Sequence, residues 1–365
     1  MLTELSHLKL HDVVSALEYD SGQAIHFTGG QIAVSCSGEL VINSAFGYDG
    51  TGEAVTSDSV FSIYCATKPL LALLLGMLDE RGILSIDISI GSVVPGLRAR
   101  VAGLKLTDIL SQSACLVRPL GIEGILGYAI LKNSIVGEIE AGFGYNRPNY
   151  TGYSEFAGWY LLQQVVETVC RRPVSSLINE EIIGPLGLQD EIFVDTIHMA
   201  PTSSSRIRTN ISLGQKSPKA MLIESTQIFR KYAGEGIGGF ASARGLCRLY
   251  AALGDLALGR ESALAITPQS FRKLIASRER AFDILLQRDC SFGLGFMTDL
   301  QSHNFGLAIS PSAFGHVGLM GMTVAFSDPS RDLSVAWHTN GLVPNDASVG
   351  PRRIDLMDRL YEALE

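Results

Sequence analysis

The run Leu70-Leu71-Ala72-Leu73-Leu74-Leu75-Gly76-Met77-Leu78 constrains this chain more than any other stretch. Read at helical period it has no polar face, and a helix that is apolar all round must be covered on every side. It is too short for a membrane span, which needs about 18 apolar residues or more, so the cover must come from the protein. Asp79, Glu80 and Arg81 end the run, and Gly82 offers a left-handed cap. Ahead of it stands Ser62-Ile63-Tyr64-Cys65-Ala66-Thr67-Lys68-Pro69, with Pro69 suited to an early helical position. Cys65 and Lys68 are three residues apart, so at a helix start they share a face. A thiol and an amine are thus expected at the positive end of a buried helix, where the helix terminus and the ammonium both favour thiolate.

A chain of 365 residues is long enough to bury such a helix, and roughly 150 residues per domain suggests two lobes. The net charge of −8 and the lack of a basic run argue against a nucleic-acid partner. Met1–Asp20 has no basic segment followed by an apolar one, so no signal peptide is expected. The cysteines at 36, 65, 115, 170, 247 and 290 show no short paired spacing. Most read as small buried residues, which together with the missing leader predicts a reduced, cytoplasmic protein. His7 and His11 lack a third ligand nearby, so no metal is expected, and no cofactor is called for.

Two strands are predicted at Gln31–Cys36 and Glu39–Phe46 around the Ser37-Gly38 turn, and Val60–Ile63 leads into the Cys65 helix. Ser85–Val101 reads as a surface loop, and Phe156–Cys170 has helical spacing. Residues Ile197–Ile228 lack a clear period and are expected to form a long loop, a candidate lid. Gly234-Glu235-Gly236-Ile237-Gly238-Gly239 matches a dinucleotide fingerprint by letters, but no apolar strand precedes it, so it is read as a turn before a helix at Ala241–Leu253. Strands are then expected at Phe292–Met297, Phe305–Ile309, Ala313–His316, Met322–Ser327 and Leu333–Thr339, with a final helix from about Arg352 to Leu364.

Three phrases carry a resemblance. Ser62–Pro69 resembles the Ser-x-x-Lys motif of serine β-lactamases, penicillin-binding proteins and the esterases and D-peptidases related to class C β-lactamases, with Cys65 in place of the serine. Tyr153-Ser154-Glu155 resembles the Tyr-x-Asn motif, its register set by the helical pattern that follows; Tyr150 is the competitor. Phe314-Gly315-His316-Val317-Gly318-Leu319-Met320-Gly321 resembles the His-x-Gly strand of the esterase branch. In addition, Leu106–Leu116 resembles the Leu-Leu-x-His-x-Ser-Gly-Leu segment, with Gln112 replacing the His.

The resemblance implies an α/β (α+β) β-lactamase/transpeptidase-like fold: an antiparallel sheet flanked by helices (residues 1–83 and 246–365) and an inserted, mostly helical lobe (84–245). It implies Cys65 as nucleophile, with Lys68, Tyr153 and His316 as its catalytic partners. The backbone N–H groups of Cys65 and Leu319 would form the oxyanion hole, and Glu155, Gly318 and Gln112 would contact substrate. Glu155 would orient a substrate amine, and small Gly318 would let substrate lie along the strand.

A cysteine acyl-enzyme is a thioester, whose leaving thiol has a pKa of about 8.5, far below an alcohol's. Amines attack it well and water poorly, so the expected reaction is transfer of an acyl group from an ester or thioester donor to a small-molecule amine. The superfamily includes acyltransferases of natural-product pathways that exchange ester for amide, as for capuramycin-type nucleoside antibiotics. An esterase or D-amino-acid amidase, and an inactive binding protein, are the alternative readings.

Overall fold

The computed structural model describes residues 4–364 apart from 98, 118–149, 195–198, 214–217, 226–228, 230–233 and 345. A nine-stranded sheet dominates it. In chain order its strands are β1 (Gly29–Cys36), β2 (Glu39–Gly47), β3 (Tyr150–Thr151), β4 (Ala281–Asp283), β5 (Arg288–Phe292), β6 (Met297–Thr298), β7 (Phe314–Val317), β8 (Thr323–Asp328) and β9 (Leu333–Thr339). Across the sheet they run β2-β1-β9-β8-β7-β6-β5-β4-β3. Every pairing is antiparallel except β3 with β4. The β1–β9 pair, next to one edge, joins strands from the two ends of the chain, with Ile32 opposite Trp337 and Val34 opposite Val335.

Helices cover both faces. α1 (Glu4–Gln23) and the C-terminal α5 (Val349–Leu364) enclose one apolar cluster with Leu10, Leu17, Ile32, Val34, Val324, Phe326, Val335, Leu360 and Tyr361. On the other face lies the larger core, built around α2 (Lys68–Glu80), α3 (Ala157–Cys170) and α4 (Ala243–Leu258). All residues of α2 from Lys68 to Leu78 are buried, as an unbroken apolar run demands.

Several expectations are corrected. Cys65 is not in the α-helix itself but on one 3-10 turn, Tyr64–Thr67, that feeds it. In a 3-10 turn residues i and i+3 eclipse, so the shared face of Cys65 and Lys68 survives. Phe292–Met297 is a bend between β5 and β6, not one strand, because Gly293 presses on the helix Pro268–Ile275: a Cβ there would lie 2.3 Å from the Leu274 carbonyl oxygen. Phe305–Ile309 is irregular, with Gly306 at φ +103. The segment 197–228 lies partly outside the described residues; its described part carries the short helix Pro201–Ser204, strands Ile211–Ser212 and Lys219–Ala220, and a 3-10 turn Leu222–Ser225. The six cysteines are all free thiols. No helix of the described residues is long and apolar enough to cross a membrane.

Candidate active site

A short strand, Phe61–Ser62, delivers the chain to the 3-10 turn with a sharp change of direction, and Tyr64 takes φ +46 there. A bulky residue holds that region only when its surroundings compel it. The Tyr64 ring packs edge-on against Phe229, 6.2 Å between centroids, and its hydroxyl donates to the buried carboxylate of Glu224. Behind the turn runs the glycine-rich stretch. Ile63 N–H donates to Gly239 O (2.9 Å) and Gly239 N–H to Thr67 Oγ1 (3.0 Å). A Cβ on Gly239 would lie 2.7 Å from that same oxygen, so only glycine fits.

Cys65 is half-buried and opens onto a pocket of about 500 Å³. Tyr153, Glu155, Gly318 and Leu319 share its wall with Leu285, Leu286, Arg288, Met297 and Val317. Lys68 lies beneath the floor, fully buried, and its Nζ donates to the carbonyls of Glu155 (2.7 Å) and Gly236 (3.0 Å). The ammonium also stands 5.4 Å from the centre of the Tyr153 ring and 5.6 Å from that of Trp159. Burial lowers the Lys68 pKa, and the nearby Cys65 sulfur acts in the opposite sense.

Tyr153 is the centre of the arrangement. Its hydroxyl is buried without a hydrogen-bond partner. Burial first, then the neighbouring Cys65 sulfur, holds its pKa well above the usual phenol value, so it is a protonated donor at neutral pH. Cys65 is near enough to perturb the phenol although no bond of ordinary geometry joins them. Tyr150, by contrast, belongs to the edge strand β3 and packs on Phe282.

Residues with no motif of their own fix Tyr153. Asp283, fully buried on β4, accepts from Tyr153 N–H (2.8 Å) and Thr151 Oγ1 (3.1 Å) with one oxygen. With the other it accepts from the N–H groups of Leu285 (2.9 Å) and Leu286 (2.8 Å). One carboxylate thus ties the tyrosine loop to the β4–β5 hairpin. Gln112, read from its motif position as a substrate contact, bonds to the tyrosine loop. It is buried off the pocket wall at φ +63, and its Oε1 accepts from Ser154 N–H (2.7 Å). Ser154 O in turn accepts from Trp159 Nε1 (3.1 Å). Gln112 positions the loop.

His316 likewise stands behind the wall, its ring centre 6.0 Å from that of Tyr153. Its Nδ1 is 2.8 Å from Val317 O, and since a carbonyl only accepts, Nδ1 carries the hydrogen. Burial and the charge of Lys68 push its pKa down to about 3, so it is neutral. Gly318 closes the gap between β7 and the Tyr64–Thr67 turn. A Cβ there would fall 2.4 Å from Ile63 O and 3.0 Å from Thr323 Cβ, so the glycine is required by the protein's own packing as well as by pocket access. Neither the Cys65 nor the Leu319 N–H donates to a backbone carbonyl outside its own helical turn among the described residues. Both residues face the pocket, as an oxyanion hole requires. No cluster of His, Cys, Asp and Glu that could hold a metal occurs among the described residues.

Comparison with known proteins fits this geometry. Penicillin-binding protein 4 of Amycolatopsis lactamdurans is 27% identical over 173 residues, 46% of this chain and 45% of that protein, so the alignment spans about half of each. A penicillin-binding protein homologue from Caulobacter crescentus has the same fold, with a TM-score of 0.77 at 23% identity over 100% of this chain and 99% of that one. EstCE1, described as a hydrolase with promiscuous acyltransferase activity, gives 0.75 at 18% identity over 98% and 100%. The Beta-lactamase family profile matches residues 14–358, from α1 into α5. Because that match runs through nearly the whole chain, the protein belongs to the Beta-lactamase family.

Proposed function

We propose that the protein is an acyltransferase that forms an amide from an ester or thioester donor and an amine, through a thioester on Cys65. The observation that carries this reading is the thiol itself: a cysteine stands on the pocket wall at the head of the buried α2 helix, with Tyr153 beside it and Lys68 below. In the first step the Cys65 sulfur attacks the donor carbonyl. The S–C bond forms, the donor's C–O or C–S bond breaks, and the thiol proton passes to the leaving group. In the second step the amine attacks the thioester. The C–N bond forms, the S–C bond breaks, and the proton lost by the amine returns the thiolate to the thiol.

Tyr153, protonated and unpartnered inside, is the group best placed to pass that proton. Lys68 lies beside sulfur and phenol, its pKa lowered by burial. The two N–H groups of Cys65 and Leu319 receive the developing oxyanion. Neutral His316 and Gln112 position Tyr153 and its loop. The acyltransferase side-activity in EstCE1's description supports a pocket of this fold accepting acyl acceptors other than water. The setting the resemblance implies is natural-product assembly in the cytoplasm.

The test is a competition with one ester donor and one amine, quantifying amide and acid for the native enzyme and for Cys65→Ser. The native protein is expected to make amide in excess, with an acyl adduct on Cys65 by intact mass. The amide-to-acid ratio should fall for Cys65→Ser, whose oxygen ester favours amines less. Acid alone from the native protein with every amine offered would replace transfer with hydrolysis.

A further inference from the structure

Resting on the acyl-transfer reading of the Cys65 pocket, we infer that one of its two substrates carries an anionic end group, a carboxylate or phosphate, and that Arg288 binds it. Arg288 is half-buried on β5 and lines the same pocket as Cys65, Tyr153 and Leu319. Among the described residues its guanidinium makes no hydrogen bond and no ion pair. A partly buried guanidinium is normally paired, because it brings five donors and a charge out of water.

Its surroundings do not neutralise it. Arg353, also on the wall, is held by carbonyls alone: Nε donates to Asn304 O (2.7 Å) and Nη2 to His303 O (2.8 Å), over the Phe305 ring at 5.2 Å. Burial first, then the charge of Arg288, pulls the Arg353 pKa down to about 10, so two guanidiniums repel each other here. His303 is neutral, driven to about 4 by burial. The wall's carboxylates serve elsewhere. Asp346 pairs with Arg352 (2.7 Å), and the charge of Glu155 acts on Lys68 and Tyr153. Leu285, Leu286, Met297 and Val317 line the same pocket and give apolar surface for the body of a substrate. An oxyanion on Arg288 would make the charge-assisted bonds the protein leaves unmade.

The anion belongs to the donor or to the amine, and paired probes separate the two. The donor arm compares the mono-S-phenyl thioester of glutaric acid with S-phenyl pentanoate, reading thiophenol release and the Cys65 adduct. The acceptor arm compares β-alanine and 3-aminopropylphosphonate with propylamine. A preference for the anionic member of at least about tenfold in kcat/KM is expected in one arm. Arg288→Gln should collapse that ratio towards one, mostly through KM, and Arg288→Lys should restore part of it. Ratios near one in both arms for the native enzyme, or a preference that survives Arg288→Gln, overturn the inference while Cys65 still acylates. If no donor leaves an adduct on Cys65, the acyl-transfer reading itself falls.

Discussion

Replacing Glu224 by Gln should make the protein relatively more stable as the pH rises. Glu224 is buried beneath the Tyr64–Thr67 turn. It accepts from the Tyr64 hydroxyl and, through both oxygens, from Asn210 Nδ2 (3.0 Å each). Asn210 Oδ1 accepts from His338 Nε2 (2.9 Å), which fixes Nδ1 of that ring as the acceptor of the Thr323 hydroxyl (2.7 Å). These donors favour the carboxylate, but burial outweighs them and raises its pKa from 4.5 to about 7. A pKa raised in the fold means the native state binds the proton more tightly. The stability this group contributes is therefore full below pH 4.5 and is lost as the pH rises through 7. At about 1.36 kcal/mol per unit, the linkage relation gives a loss of about 2.5 kcal/mol between pH 5 and pH 8. Glutamine mimics the protonated acid and does not titrate. The difference in unfolding free energy, native minus Glu224→Gln, should then fall by about 2.5 kcal/mol over that range, every other titration cancelling. Urea unfolding followed by tryptophan fluorescence at four pH values measures it. A difference that is flat, or that grows with pH, would refute the argument that burial dominates this carboxylate.

Tyr153→Phe should retain the fold and slow acyl transfer by roughly two to four orders of magnitude, whereas Tyr150→Phe should remain near native; the reverse pattern would move the proton relay to the edge strand. Under iodoacetamide, peptide mapping should find Cys65 alkylated ahead of Cys115, Cys247 and Cys290, whose thiols burial pushes up to about 11, 12 and 12; an inert Cys65 would remove the nucleophile.

What the sequence made legible was local. The apolar run forces a central helix, three-residue spacing puts Cys65 and Lys68 together, and helical periodicity after residue 156 fixes Tyr153 as the motif tyrosine. The rest of the site is assembled across long separations that no period marks. Asp283 bonds the Tyr153 amide from 130 positions away, and Glu224 meets Tyr64 across 160. Gln112 reads as a substrate contact when only its motif position is known, since its bond to Ser154 depends on a left-handed turn at a non-glycine residue. Phe305–Ile309 looked like a strand by composition, but Gly306 breaks it. Arg288 gave no signal at all, because an unpaired charge is defined by what fails to approach it.

The β1–β9 pairing has a consequence for biosynthesis. Cys65, Lys68 and Tyr153 leave the ribosome early, yet the strand holding His316 and Gly318 follows more than a hundred residues later, and β1 gains its neighbour β9 only afterwards. Until then β1 is paired with β2 alone, and the edge that carries Ile32 and Val34 has no strand beside it. The nascent chain must therefore carry an open strand edge until β9 is made, a state that favours aggregation or chaperone capture.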